Sequence, residues 1–395
     1  MPNRYPAKGE VDPAPLGEPL HLAFSGRTAK NRLIKASTSE HMSSWSPDEP
    51  SKRGTPTKEL INLYRHYGAA GWGIILTGDV LIHPEHLEAA GNTIITPGAP
   101  FEGPRFDTFA KLATEAKAGG SLVIAQVLHP GRLAVPELQA DPVSASDIQL
   151  VKSVGEVKYN KPHAASEQEI RELQAAFVHS AVYLERAGFD GIEINAAHGH
   201  LLAQFLSAST NRRTDLYGGS PANRARFLYE VIDGVCAARS SPAFVVAVKL
   251  NSVEFQDRGM TTDEAAQLAH MLEQQGVDLV ELTGGTYEDP AWHHRRDTTR
   301  VREAFFLEFA AGIAPRLRKT RSVVTGGLRS VAAMVGALDT VDAVALARPA
   351  CAEPRLPLDI LAGRVKACCQ AGGGGRSGLC DDDAHGRRAA DADRA

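Results

Sequence analysis

Asn195, His198 and His200 stand within six residues of one another, in the stretch Asn-Ala-Ala-His-Gly-His. An amide and an imidazole at that spacing can hold a carbonyl oxygen and polarise it. Histidines can also ligate zinc, and His129 could join them in a metal-dependent hydrolase. A catalytic zinc wants further imidazole or acidic ligands at neighbouring strand ends, where Gly78, Gln126 and Lys249 stand instead. Uncharged donors that polarise a substrate oxygen are the better fit. A second signal lies at Thr325-Gly326-Gly327-Leu328 and Ala347-Arg348-Pro349, where glycines ahead of a helix and a nearby arginine can cradle a phosphate or simply make tight turns.

These groups need a scaffold that brings distant residues to one place. Short apolar runs at 32–35, 73–77, 122–126, 191–195, 245–249, 279–282, 323–325 and 343–347 read as eight strands. Amphipathic stretches at 58–69, 106–118, 167–187, 222–238, 262–275, 301–317 and 331–338 separate them. Ser166 ahead of Glu169, Ser220 before Pro221, and Thr261 ahead of Glu264 are helix-start chemistry. Gly188 and Gly276 sit where a helix must stop and a strand begin. Eight strands alternating with helices predict an α/β fold, a (β/α)8 TIM barrel in a single domain with loop insertions at its C-terminal face. Those insertions are 127–165 and 283–300, both longer than an ordinary loop and both following strand ends, where barrels build active sites. Alternation places Leu122, Ile124 and Gln126 on one face, and Val245, Ala247 and Lys249 likewise, so Gln126 and Lys249 aim inward. An inward lysine needs a charge partner.

Composition narrows the classes. The chain has 395 residues, a net charge of -4, 43% hydrophobic residues and no polybasic run, which argues against nucleic-acid or membrane partners and leaves a small-molecule substrate. Its five cysteines crowd toward the C-terminus, and its first residues lack an apolar signal segment. A soluble, cytoplasmic protein, with homo-oligomerisation open, is the expectation. Residues 1–18 read as a flexible leader, 19–362 as the barrel and 363–395 as a disordered or atypical tail. The tail's Gly373–Gly378 run matches a dinucleotide fingerprint formally, but no strand precedes it and no helix follows.

Several longer stretches resemble the old yellow enzyme family of FMN-dependent NAD(P)H oxidoreductases. They are KNRLIKASTS over 30–39, ILTG over 75–78, QVLHPGR over 126–132 and FDGIEINAAHGHLLAQFLS over 189–207. TNRRTDLYGGS over 210–220, followed by NRARF over 223–227, is the most specific. The likeness spans residues 20 to 360 in order. It implies FMN lying across the barrel mouth, with its phosphate on Gly326, Gly327, Ala347 and Arg348. It implies Ala36, Ser37, Thr38, Ser39 and Gly78 on or near the ring, Gln126 on the pyrimidine edge, and Lys249 partnered by the reduced ring's negative charge. It further implies NAD(P)H as reductant, Asn195 and His198 as the pair that binds a substrate carbonyl, and Tyr287 among the substrate contacts. The resulting reaction is reduction of the C=C bond of an α,β-unsaturated carbonyl, in two half-reactions at one site.

The chain departs from that pattern at His200, which stands where the better-known members place a proton-donating tyrosine, and histidine can keep that role. Ala347 replaces a usual glycine, and Ser37 a usual proline. The same barrel could instead act as a dehydrogenase or a redox-neutral isomerase, or bind flavin without catalysis. Cys351, Cys368, Cys369 and Cys380 lack the spacing of an iron–sulfur cluster. Tyr159, Tyr287, Trp292 and His293 in the insertions carry no readable substrate code.

Overall fold

The computed structural model describes residues 3–7, 9–151, 157–289, 303 and 305–370. Trp292, His293, Cys380 and the glycine run at 373–378 lie outside the described residues. Eight parallel strands of a nine-stranded sheet make the barrel: β1 (Leu33–Lys35), β2 (Ile74–Leu81), β3 (Leu122–Leu128), β4 (Gly191–Ala196), β5 (Val245–Asn251), β6 (Leu279–Thr283), β7 (Arg321–Thr325) and β8 (Ala343–Leu346), with the short strand Thr93–Ile94 added alongside β2. They neighbour one another in chain order, and β8 and β2 both pair with β1, so the sheet closes into a (β/α)8 barrel.

The barrel's two apolar layers follow from strand alternation. Inward residues Ile34, Ile74, Leu76, Leu122, Ile124, Val245, Ala247, Leu279, Val323, Ala343 and Ala345 fill its lower interior. A short antiparallel ribbon, Leu20–His21 with Thr28–Ala29, adds Leu20, Leu22 and Ala29 to that cluster and plugs its base. Residues of the other parity pack outward against the helices. A polar residue of inward parity therefore projects above an apolar floor.

The helices are α1 (Lys58–Gly68), α2 (Pro104–Lys117), α3 (Glu167–Arg186), the short α4 (Leu201–Leu206), α5 (Pro221–Ala238), α6 (Thr262–Gln274), α7 (Leu307–Ile313), α8 (Val331–Ala337), α9 (Arg348–Ala352) and α10 (Leu356–Leu361). Ser166 with Glu169 and Thr261 with Glu264 form complete capping boxes, and Ser220 accepts from Asn223 N. Each such cap stabilises its helix by about 1 kcal/mol. Gly188 and Gly276 adopt φ of 90° and 79°, the left-handed turn that ends α3 and α6.

Three expectations change. The described part of the helix read at 301–317 is only α7, because Pro315 cannot donate an i→i−4 bond and the chain tightens into a 3-10 turn, Ala314–Arg316. The described residues of the expected flexible leader are tied down: Leu16 is fully buried and accepts from Arg32 N, and Arg4 pairs with Glu353 at 2.6 Å. Packing also continues past 362, since Cys368 is buried and Lys366 O accepts from Val331 N. No helix among the described residues is long and apolar enough to cross a membrane.

Candidate active site

Above the apolar floor, β3 to β7 contribute Gln126, Glu193, Asn195, Lys249, Glu281 and Thr325, all buried. In-register pairing sets Lys249 between Asn195 on β4 and Glu281 on β6. The strands run past the expected ends, to Leu128, Ala196 and Asn251, so Gln126, Asn195 and Lys249 sit inside the rim rather than on it.

Lys249 Nζ lies 2.9 Å from Glu281 Oε1, which also accepts from Thr325 Oγ1 at 2.6 Å. The lysine's charge is met by a carboxylate of the chain itself. Burial drives the Glu193 carboxyl far above the carboxylate range, and repulsion from Glu281 adds to this, so Glu193 keeps its proton. Burial would raise Glu281 as well, but Lys249 and the hydrogen bond from Glu193 hold it below its ordinary value. One cation, one anion and one neutral acid make the layer electrically balanced. Gln126 Nε2 donates to Glu193 Oε2 at 2.5 Å, and Asn195 Nδ2 donates to Gln126 Oε1 at 3.0 Å. Asn195 Oδ1 accepts from Ala197 N, leaving one amide hydrogen with no acceptor among the described residues.

His198 and His200 diverge. His198 has φ of 57°, its N–H donates to Asn251 Oδ1, and its Nε2 lies 3.1 Å from Thr283 Oγ1. Burial, then Lys249 and His200, lowers its pKa well below the usual range, so the ring is neutral. His200 caps α4, with Nδ1 3.1 Å from Ala197 O and Nε2 against Glu88. Burial would lower the His200 pKa, but Glu88 and then Asp79 outweigh it and the ring is raised toward the imidazolium. The nitrogens therefore serve different elements rather than a common metal position. Tyr287 stacks edge-on to His200 at 6.2 Å between ring centroids and joins Leu133, Leu150 and Tyr159 in a cluster of the insertions.

Gly78 does not follow β2 but lies within it, at a bulge where Leu76 faces Ile124 and Asp79 faces Gln126. Its N–H donates to Glu40 Oε1 at 3.0 Å and to Tyr64 Oη at 2.8 Å. A Cβ at Gly78 would run into the Glu40 carboxylate. Gly78→Ala is therefore expected to destabilise the fold by about 1–3 kcal/mol, read as a lower urea midpoint. An unchanged midpoint would show that Glu40 yields without cost. Ala36 is buried with its N–H on Leu346 O, Thr38 Oγ1 accepts from the buried Lys35 at 3.2 Å, and exposed Ser39 donates to Asp79. Ser37 is half-buried beside them.

Pairing of Thr325 with Ala345 sets the half-buried Gly326 and Gly327 alongside Ala347 and the exposed Arg348. The glycines lie in a loop, not at a helix start: α8 begins at Val331, capped by Ser330. Gly326 has φ of 119°, and a Cβ there would meet the Phe306 ring at 2.9 Å.

Glu193 and Glu281 share the parity of Asn195 and of Leu279, so alternation could have found both. Asp79 needed knowledge of the bulge, and Glu88 comes from an irregular loop with no sequence signal.

Residues 15–367 match the family described as NADH:flavin oxidoreductase / NADH oxidase. The NADH-dependent flavin oxidoreductase nadA of Aspergillus parasiticus is 48% identical over 361 residues, covering 90% of this chain and 80% of that one. The NADPH dehydrogenase of Bacillus subtilis is 33% identical over 264 residues, 67% of this chain and 72% of its own. Among solved structures, morphinone reductase superposes with a TM-score of 0.72 at 25% identity, over 93% of this chain and 95% of that one. A 2-naphthoyl-CoA reductase gives 0.79 at 25% identity, and the match spans 90% of this chain but 54% of that longer one.

Proposed function

The chain belongs to the NADH:flavin oxidoreductase / NADH oxidase family, the old yellow enzyme group, and from that premise we propose that it reduces the C=C bond of an α,β-unsaturated carbonyl or a related electrophile. FMN is its cofactor and NAD(P)H its reductant. The residues at the mouth fit such a group. Gln126 and Asn195 offer amide edges, Lys249 an ammonium, Arg348 an exposed guanidinium, and Gly326 a backbone position where a side chain would strike Phe306.

Ala36, Ser37, Thr38, Ser39, Gly78, Gln126 and Lys249 would hold the ring, and Gly326, Gly327, Ala347 and Arg348 the phosphate. When bound, FMN would supply the hydride-transfer chemistry between NAD(P)H and the substrate. Asn195 and His198 bind the substrate oxygen. The observation that carries this reading is that Asn195 retains an amide hydrogen without an acceptor among the described residues, beside a histidine held neutral. Two uncharged donors stabilise the negative charge that grows on the oxygen as hydride arrives. His200 supplies the proton to the α-carbon, and Tyr287 packs over the substrate.

The test is spectroscopic. Purified protein is expected to carry a flavin band that NADH or NADPH bleaches under anaerobic conditions and that an enone restores. A protein that takes up FMN and is bleached, yet is reoxidised by no enone, aldehyde or quinone, would sink the alkene-reduction reading.

A further inference from the structure

Lys249 does not reach the mouth alone. Its Nζ lies 2.9 Å from Glu281 Oε1, and that carboxylate is itself fixed by Thr325 Oγ1, which donates at 2.6 Å, and by the proton of Glu193. Glu193 in turn accepts from Gln126 Nε2 at 2.5 Å. These side chains come from β3 to β7 in order, and Glu193 and Glu281 are fully buried. Resting on the reading of Lys249 as a residue that meets the flavin ring, we infer that Glu281 is a positioning residue. It keeps Lys249 an ammonium before the ring is reduced, so that the negative charge arriving with hydride is met without proton uptake.

A buried ion pair is a weak source of stability, because desolvation offsets most of its Coulomb attraction. Apolar residues of similar volume would fill the layer as well, so the pair points to a task for a fixed charge. A buried lysine without an anion sheds its proton, since burial favours the neutral amine. Burial by itself would lower the Lys249 pKa, and Glu281 outweighs it. The other groups facing the ammonium do not replace that anion at pH 7. Glu193 on β4 keeps its proton, and Asp79 on β2, raised to about 8 by burial and then by Glu88, keeps its own. Lys35 on β1 adds a like charge, and His198 after β4 is neutral. Hydride brings both electrons and its own hydrogen from NAD(P)H, leaving the oxidised nicotinamide behind. The ring thus gains one negative charge, and solvent need supply no proton. A lysine already charged answers by electrostatics alone, whereas a neutral one leaves the charge to be met by a proton from water.

The test counts protons. FMN-loaded wild type, Glu193→Gln and Glu193→Gln/Glu281→Gln are each reduced anaerobically by NADH at pH 7, in weak buffer containing a pH-indicator dye. Wild type and Glu193→Gln are expected to take up no proton per flavin bleached, and the double variant about one. A merely structural role for Glu281 would leave that count unchanged. Uptake by the wild type, or none by the double variant, overturns the inference. If the double variant does not hold flavin, ¹³C NMR of the lysine Cε in the flavin-free wild type decides, with Lys249 assigned by its loss in Lys249→Arg. A Lys249 still charged at pH 9 supports the pair, and one neutral at that pH overturns it. No enone enters these measurements, so they stand apart from the alkene-reduction test. Should the protein bind no FMN, the flavin reading fails on its own, while the lysine's charge state still tests the pair.

Discussion

Lys249→Met is expected to lower stability by about 3–5 kcal/mol at neutral pH, the cost of breaking a buried ion pair by removing one partner. Lys249 and Glu281 are both buried and 2.9 Å apart, and the next carboxyl, Glu193, already carries a proton. Without the ammonium, Glu281 must either remain an unpaired buried anion or take up a proton that its unfolded counterpart releases. The sign of the pH dependence follows. In the wild type the Glu281 pKa is depressed, so its contribution is present above the unfolded carboxylate value and lost as pH falls through the folded one. In the variant the folded pKa is raised instead, so the deficit grows as pH rises above the unfolded value of roughly 4.3. Urea unfolding at pH 5 and pH 7.5 should show the larger loss at the higher pH. Lys249→Met combined with Glu281→Leu should recover most of the loss, since an apolar replacement of the whole pair removes the orphaned charge. A loss equal at both pH values, and not relieved in the double variant, would show that packing rather than charge makes the layer.

His198→Ala should slow hydride transfer to an enone by about 10²–10³-fold, the usual cost of removing one preorganised donor from a developing oxyanion. The ring is held by Asn251 Oδ1 on its backbone and by Thr283 Oγ1 at Nε2, and it is neutral, so it donates without itself titrating near pH 7. Stopped-flow reoxidation of the reduced enzyme reads this step apart from reduction by NADH. Asn195→Ala should fall in the same range, although there part of the loss comes from Gln126, whose Oε1 accepts from Asn195. A reoxidation rate within threefold of wild type in His198→Ala would remove the histidine from the oxygen-binding pair.

Much of this was readable in the chain itself. Strand and helix alternation, three helix caps and two stop glycines are local signals, since each depends on hydrogen bonds or φ angles within a few residues. The period of two also set Gln126 and Lys249 facing inward, because side chains on a strand alternate whatever lies beyond it. What the chain alone did not show was which groups meet. Lys249 and Glu281 are 32 residues apart, and their contact exists because β5 and β6 pair in one particular register. Asp79 reaches the site through a bulge, and Glu88 meets His200 across 112 residues of sequence. Which proton each group keeps was decided there too, because a carboxyl's pKa in a buried site depends on its neighbours in space and on the water they exclude.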